Sequence, residues 1–248
     1  MRDNSRVPLP RFYAPALDAS VREAALPADE ANHLTRVMRL GIGDEIAVFD
    51  GRGREFRARV LSAARGKVQV ELLDAITPAP EARVPVTLVQ AVLKGDKMDA
   101  VVRDATMMGV SAIEPVITSR TIARRGETAR WVRVAVSSAK QCRRAVVPAI
   151  AGPQRFTDWL ATSAHGLRLM LVEPSASEGD LCSLRVLEDH APGSLALIVG
   201  PEGGWTQEER QLSELAGCMA VTLGGVTLRA DAIATAAIAI ARFALRDL

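Results

Sequence analysis

Apolar and polar positions change rhythm once along this chain. Up to about residue 76 the apolar positions come in short alternating runs separated by turn residues. Glu45-Ile46-Ala47-Val48-Phe49 is closed by Asp50-Gly51-Arg52-Gly53, Glu55 to Leu61 alternates, Arg65-Gly66-Lys67 turns the chain, and Val68 to Leu72 alternates again. Period-two alternation punctuated by glycine turns predicts half-buried strands. One helix is expected, over Asp29–Val37. Residues 1–76 therefore read as a small β-rich module, a barrel in form. Ile76-Thr77-Pro78-Ala79-Pro80-Glu81 has the proline content of a linker.

Beyond the linker the rhythm alternates between unbroken apolar runs and helical stretches. The pattern predicts strands at Val84–Leu93, Ala112–Ile117, Leu167–Val172, Leu195–Val199 and Ala220–Leu223. Helices are expected at Asp96–Met108, Ala129–Arg144, Thr157–Thr162, Gln207–Ala216 and Asp231–Leu245. A strand apolar at every position, such as Ala196-Leu197-Ile198-Val199, suits a sheet covered on both faces. Regular strand–helix alternation predicts an α/β domain with a parallel sheet over 84–248, its ligand beyond the carboxyl ends of the strands.

Composition excludes more than it selects. Three distant cysteines, Cys142, Cys182 and Cys218, form no C-x-x-C pair, so neither a disulfide scaffold nor a zinc ribbon is expected and no metal is implied. The opening residues carry no apolar signal core, and Ala232–Ala241 is too short to span a bilayer; a cytoplasmic protein is expected. The net charge of +2 conceals an asymmetry. Residues 83–155 carry 13 basic and 5 acidic side chains, net +8, whereas residues 156–248 carry 6 and 12, net −6. Arg120, Arg124, Arg125, Arg130, Arg133, Lys140, Arg143 and Arg144 face a single acid, Glu127, in that stretch. Arginine forks suit phosphate, so the cluster fits either an RNA contact or a solvated helix face.

Three strand exits carry candidate chemistry. Leu195 to Val199 runs into Gly200-Pro201-Glu202-Gly203-Gly204-Trp205, and Thr206 with Glu209 has capping-box spacing for the next helix. Glycines there would let backbone approach a ligand, though the loop is neither G-x-G-x-x-G nor a P-loop, and a tight turn without a ligand fits it as well. Val221-Thr222-Leu223-Gly224-Gly225 leads through Leu228-Arg229 into a small-residue helix, and Leu171-Val172-Glu173 ends a third strand on a carboxylate. The histidines, His33, His165 and His190, are scattered, and none is assigned as a base.

Gly200-Pro201-Glu202-Gly203-Gly204, with Leu223-Gly224 and Leu228-Arg229 some twenty residues on, resembles the 16S ribosomal RNA uridine-N3 methyltransferases of the trefoil-knotted SPOUT class. The resemblance extends to Arg11-Phe12-Tyr13, His33 to Leu40, Lys94-Gly95-Asp96-Lys97-Met98-Asp99, Gly109-Val110 and Gln141-Cys142-Arg143-Arg144. It implies a homodimeric enzyme with an N-terminal PUA-like RNA-binding domain and a knotted methyltransferase domain. S-adenosylmethionine would be held by Leu171, Val172, Glu173, Gly200, Pro201, Glu202, Gly203, Gly204, Leu223, Gly224 and Leu228. Arg229 becomes the catalytic candidate, and Arg11, Arg36, Arg39, Arg120, Arg124, Arg125, Arg143 and Arg144 the RNA-binding set. Asp104, Met107, Ser137 and Lys140 depart from the family pattern; Asp104 and Lys140 are expected to form an ion pair between two helices. A related transferase acting on another RNA site, or a non-catalytic ribosome-assembly protein, would also account for the basic middle segment.

Overall fold

The structure is a computed structural model that describes residues 9–64, 66–122, 127–174, 182–188 and 192–247. The chain divides into two compact units, one of residues 1–80 with 139–147, the other of residues 81–138 with 148–248.

The first unit is a five-stranded sheet. Its strands are β1 (Arg11–Tyr13), β2 (Glu23–Ala25), β3 (Glu45–Phe49), β4 (Glu55–Ala64) and β5 (Lys67–Ile76), in the order β1-β3-β4-β5-β2. The alternating runs pair antiparallel as β3–β4 and β4–β5, whereas β1 pairs parallel with β3. Inward residues Phe12, Ile46, Val48, Val60 and Val70 are sealed from water with Leu34 of the helical segment. That segment is not one α-helix as expected: α1 (Ala28–Asn32) passes into a π-helical stretch at His33–Val37. The Asp50 turn shows why a glycine follows it. Gly51 has φ +76°, and a Cβ there would lie 2.7 Å from the Tyr13 ring. Burial pushes the Asp50 carboxyl up, but Arg54 and the Arg52 and Arg54 amides outweigh it and hold the group below its ordinary range.

Arg11 is the unit's internal brace. Its guanidinium makes a bidentate pair with Glu55 at 2.7 and 3.0 Å, donates to the carbonyls of Ala139, Lys140 and Arg144, and lies 4.6 Å over the Phe49 ring. The pair is buried, with Arg11 9% and Glu55 7% exposed. This corrects the expectation that Arg11 guides RNA, since its donors are spent on its own chain. Arg144, 7% exposed, is buried as well, and its burial takes it out of the RNA-facing set. The expected Asp104–Lys140 pair is also corrected: Arg103 holds Asp104 at 2.8 Å, and Glu30 holds Lys140 at 2.7 Å.

The second unit carries an all-parallel sheet in the order β11-β13-β10-β12-β6-β7-β8, with β9 also paired to β7. Its strands are β6 (Val86–Ala91), β7 (Ala112–Ile117), β8 (Ala149–Ile150), β9 (Gln154–Arg155), β10 (Leu167–Leu171), β11 (Cys182–Ser183), β12 (Leu195–Val199) and β13 (Met219–Thr222). The helices are α2 (Lys97–Met107), α3 (Thr128–Cys142), α4 (Phe156–Thr162), α5 (Gln207–Leu215) and α6 (Ala230–Ala244). This is the α/β class expected. Every residue of β6 and β12 is buried, as a strand covered on both faces requires. Among the described residues no helix is long and apolar enough to cross a membrane.

Helix α6 holds a charge that its apolar pattern conceals. Arg242 is 1% exposed; it donates to Val84 O at 2.6 Å and to Gly109 O, and stands 3.6 Å from Asp247. Asp247 in turn accepts from Val84 N at 3.0 Å and Arg83 at 3.1 Å. Burial raises the Asp247 carboxyl, but the Val84 amide, Arg83 and Arg242 prevail and hold it below the ordinary carboxylate range. A depressed acid stabilises the fold above its unfolded pKa and loses that contribution as pH falls through the folded value.

Two outcomes follow for stability. Arg11→Met strips the buried Glu55 of its partner and lowers unfolding free energy by about 3 kcal/mol, read from the shift in denaturant midpoint. Asp247→Asn flattens the loss of stability below about pH 4, measured as the slope of unfolding free energy against pH in acid.

Candidate functional site

Strand register builds the site. Leu171 of β10 is level with Val199 of β12 and Val221 of β13, and Val199 is level with Gln90 of β6. Four parallel strands thus end in one row, and the segments that follow them leave from the same edge, where open α/β sheets bind ligands. Each of these segments except the one after Gln90 had been singled out from its glycines or its terminal acid.

A cleft of about 690 Å³ opens at that edge. Leu171, Val172, Glu173, Gly200, Pro201, Glu202, Gly203, Gly204, Leu228 and Arg229 all line it, so the expected loops do come together. Leu223 and Gly224 do not line it. Lys97, Val199, Trp205, Gln207, Arg210, Thr227, Ala230 and Ile233 complete the wall, and of the expected RNA set Arg120 stands here too. Lys97 could have been suspected from the Lys94-Gly95-Asp96-Lys97 run directly after a strand. Arg210 had no signal beyond lying one turn into a capped helix.

The loop between β12 and α5 is held by its own protein. The Trp205 indole donates to Leu171 O at 2.9 Å, and its ring fills the space where a Cβ on Gly200 would meet it at 3.0 Å. Gly204 has φ +68°, and a Cβ there would sit 3.4 Å from the Glu173 carboxylate. Thr206 and Glu209 form the capping box that the spacing predicted, and Glu209 accepts a further bond from Ser119 N at 2.8 Å. Lys97 pairs with Glu202 at 2.8 Å. Burial raises the Glu202 carboxyl, but the Lys97 ammonium prevails and leaves it below its usual value.

The cleft is cationic on balance: Lys97, Arg120, Arg210 and Arg229 against Glu173 and Glu202. Arg229 is the N-cap residue of α6, 73% exposed, and makes a two-pronged pair with Asp231 at 3.2 Å for each prong. Arg36, Arg39 and Arg143 are exposed on the first unit, and Arg39 and Arg143 have positive φ, 55° and 65°. Arg124 and Arg125 lie outside the described residues, as does His190. His165 stacks on Trp159 and approaches Glu114 at 3.3 Å, and His33 packs against Phe12; neither lines the cleft.

Comparison with known proteins agrees with the geometry. A family described as "RNA methyltransferase domain" matches residues 80–242, and one described as "RNA methyltransferase PUA domain" matches residues 26–73. A Synechocystis protein named ribosomal RNA small subunit methyltransferase E is 32% identical over 216 residues, covering 86% of this chain and 71% of that protein. A Mycobacterium bovis protein of the same name is 31% identical, covering 92% and 88%. Among solved structures, that of the Neisseria gonorrhoeae protein of this name, bound to S-adenosyl methionine, superposes with a TM-score of 0.84 at 32% identity, covering 95% of this chain and 97% of that one. A Legionella pneumophila protein in complex with the same cofactor gives 0.86 at 26% identity, covering 96% and 98%. A chain with this sheet, this strand-end cleft and these matches belongs to the RNA methyltransferase domain family, with a PUA domain of that family preceding it.

Proposed function

We propose that the protein transfers a methyl group from S-adenosylmethionine to N3 of a uridine in 16S rRNA of the small ribosomal subunit. The observation that carries this reading is the single cleft in which the exits of β10, β12 and β13 meet. Its chemistry suits the donor. A volume of about 690 Å³ is in the range for a small-molecule ligand. Val172, Leu228 and Ile233 offer apolar wall to a base and a thioether, while Glu173 can accept from an amine or hydroxyls and Arg210 can face a carboxylate.

The donor supplies an electrophilic methyl on a sulfonium; the rest falls to the protein. Uridine N3 lies on the Watson–Crick edge, so the target must be unpaired or drawn out of its stack before it can enter the cleft. N3 gives up its proton to solvent water, the new N–C bond forms as the methyl–sulfur bond breaks, and the electron pair leaves with sulfur. Charge spreads onto the uracil oxygens as the proton departs. Arg229, steered by Asp231, is the group we assign to stabilise it. Alignment of the two reactants supplies much of the remaining rate.

In this reading residues 1–76 form a PUA-like RNA-binding domain, to which Arg36, Arg39 and Arg143 lend charge, and Arg124 and Arg125 extend the set. Residues 84–248 form the knotted methyltransferase domain, working as a homodimer in the cytoplasm. Leu223 and Gly224 keep a place in this reading by shaping the approach to Leu228.

Radiolabelled methyl transfer to small subunits lacking the modification, with free 16S rRNA and tRNA alongside, is expected to yield N3-methyluridine in 16S rRNA. Label on another RNA would replace the substrate, and no label on any RNA would replace the enzyme by a binding protein. Arg229→Met is expected to lower kcat by about 10²-fold while donor affinity changes little, read by single-turnover kinetics and calorimetry.

A further inference from the structure

The loop over 200–205 is glycine-rich, yet the space that its glycines leave is used by the protein itself. Arg120 lies across Gly203: a Cβ at that glycine would meet the arginine stem at 3.3 and 3.4 Å. The same side chain donates through Nη1 to Gly203 O at 2.7 Å and reaches Trp205 O at 3.4 Å. From another segment, Lys97 at the start of α2 holds Glu202 at 2.8 Å. Two cations, one following β6 and one following β7, thus grip consecutive residues of the strand-β12 exit, while Trp205 ties its far end to Leu171 O.

We propose that Lys97 and Arg120 are positioning residues for methyl transfer: they clamp the loop over 200–205 in its donor-binding shape. The inference rests on the cleft being the donor site. Neither contact adds much to global stability, because both side chains are partly wet and an exposed pair is worth little. Their effect lies in where they act. Fixing a loop's backbone costs conformational entropy, and a loop ordered beforehand spares that cost when a ligand arrives. A role for Arg120 as an RNA contact would instead show as a phosphate contact in the salt dependence of RNA binding, with donor affinity untouched.

The two roles separate in one set of measurements on the full-length protein. Arg120→Met and Lys97→Met are each expected to weaken S-adenosylhomocysteine binding about tenfold by calorimetry. KM for S-adenosylmethionine rises in step, and kcat at saturating donor stays within about threefold of wild type. Arg120→Lys, which keeps the stem and one donor, recovers part of the affinity; it also serves if the methionine variant folds poorly. The slope of rRNA binding against salt is unchanged in all three. Unaltered donor affinity together with a salt slope reduced by about 0.7–0.9, one phosphate contact, would overturn the clamp and make Arg120 an RNA contact. Failure of the wild type to bind donor would instead overturn the reading of the cleft, and the clamp with it. Intact binding in both methionine variants removes the clamp alone.

Discussion

The functional half of this molecule depends on one constraint, the in-register parallel pairing that puts Leu171, Val199, Val221 and Gln90 in a single row. A slip of one residue would exchange the side chains of the two packed faces and break the close packing on both. The row therefore holds the starting points of the strand-end segments in place. Everything in the cleft follows from that: residues more than a hundred positions apart, Lys97 and Glu202 among them, meet because their strands end together.

Within the cleft, rigidity comes from polar contacts among the loops. The indole of Trp205, the guanidinium of Arg120, the ammonium of Lys97 and the carboxylate of Glu209 each fasten a neighbouring segment. Glycine at 200 and 203 lets those side chains lie against the backbone, and glycine at 204 takes a positive φ. A glycine-rich loop is therefore not slack here; the missing Cβ atoms are filled by a ring and an arginine stem. A cleft shaped before its ligand arrives is the condition under which alignment contributes to rate.

The first unit is braced by a buried ion pair, Arg11 with Glu55, and by the three carbonyls that share the guanidinium. Such a group stabilises only while every donor is engaged. Arg36, Arg39 and Arg143, by contrast, are exposed. The same separation recurs in the second unit, where Arg242 is enclosed by Val84 O, Gly109 O and Asp247 while Arg229 stands in the open.

Several features were legible along the chain because they are local. Alternation in Glu55 to Leu61 and Val68 to Leu72, the unbroken run Leu195–Val199, the Asp50-Gly51 turn and the Thr206–Glu209 cap depend on residues a few positions apart, and all appear where their spacing indicated. The short strands β8, β9 and β11 did not, since two residues carry no period. Nor could the partner of a charged side chain be read from its position. Arg11 and Arg36 look alike in sequence, yet one is buried on Glu55 and the other exposed; Lys140 turned to Glu30 rather than Asp104. Hydrophobic rhythm and turn chemistry act over one strand or one helical turn, so the sequence by itself determined the elements and the α/β class. Which strand ends lie together, and which arginines are spent inside, depends on contacts a hundred residues apart, and only the tertiary structure decided them.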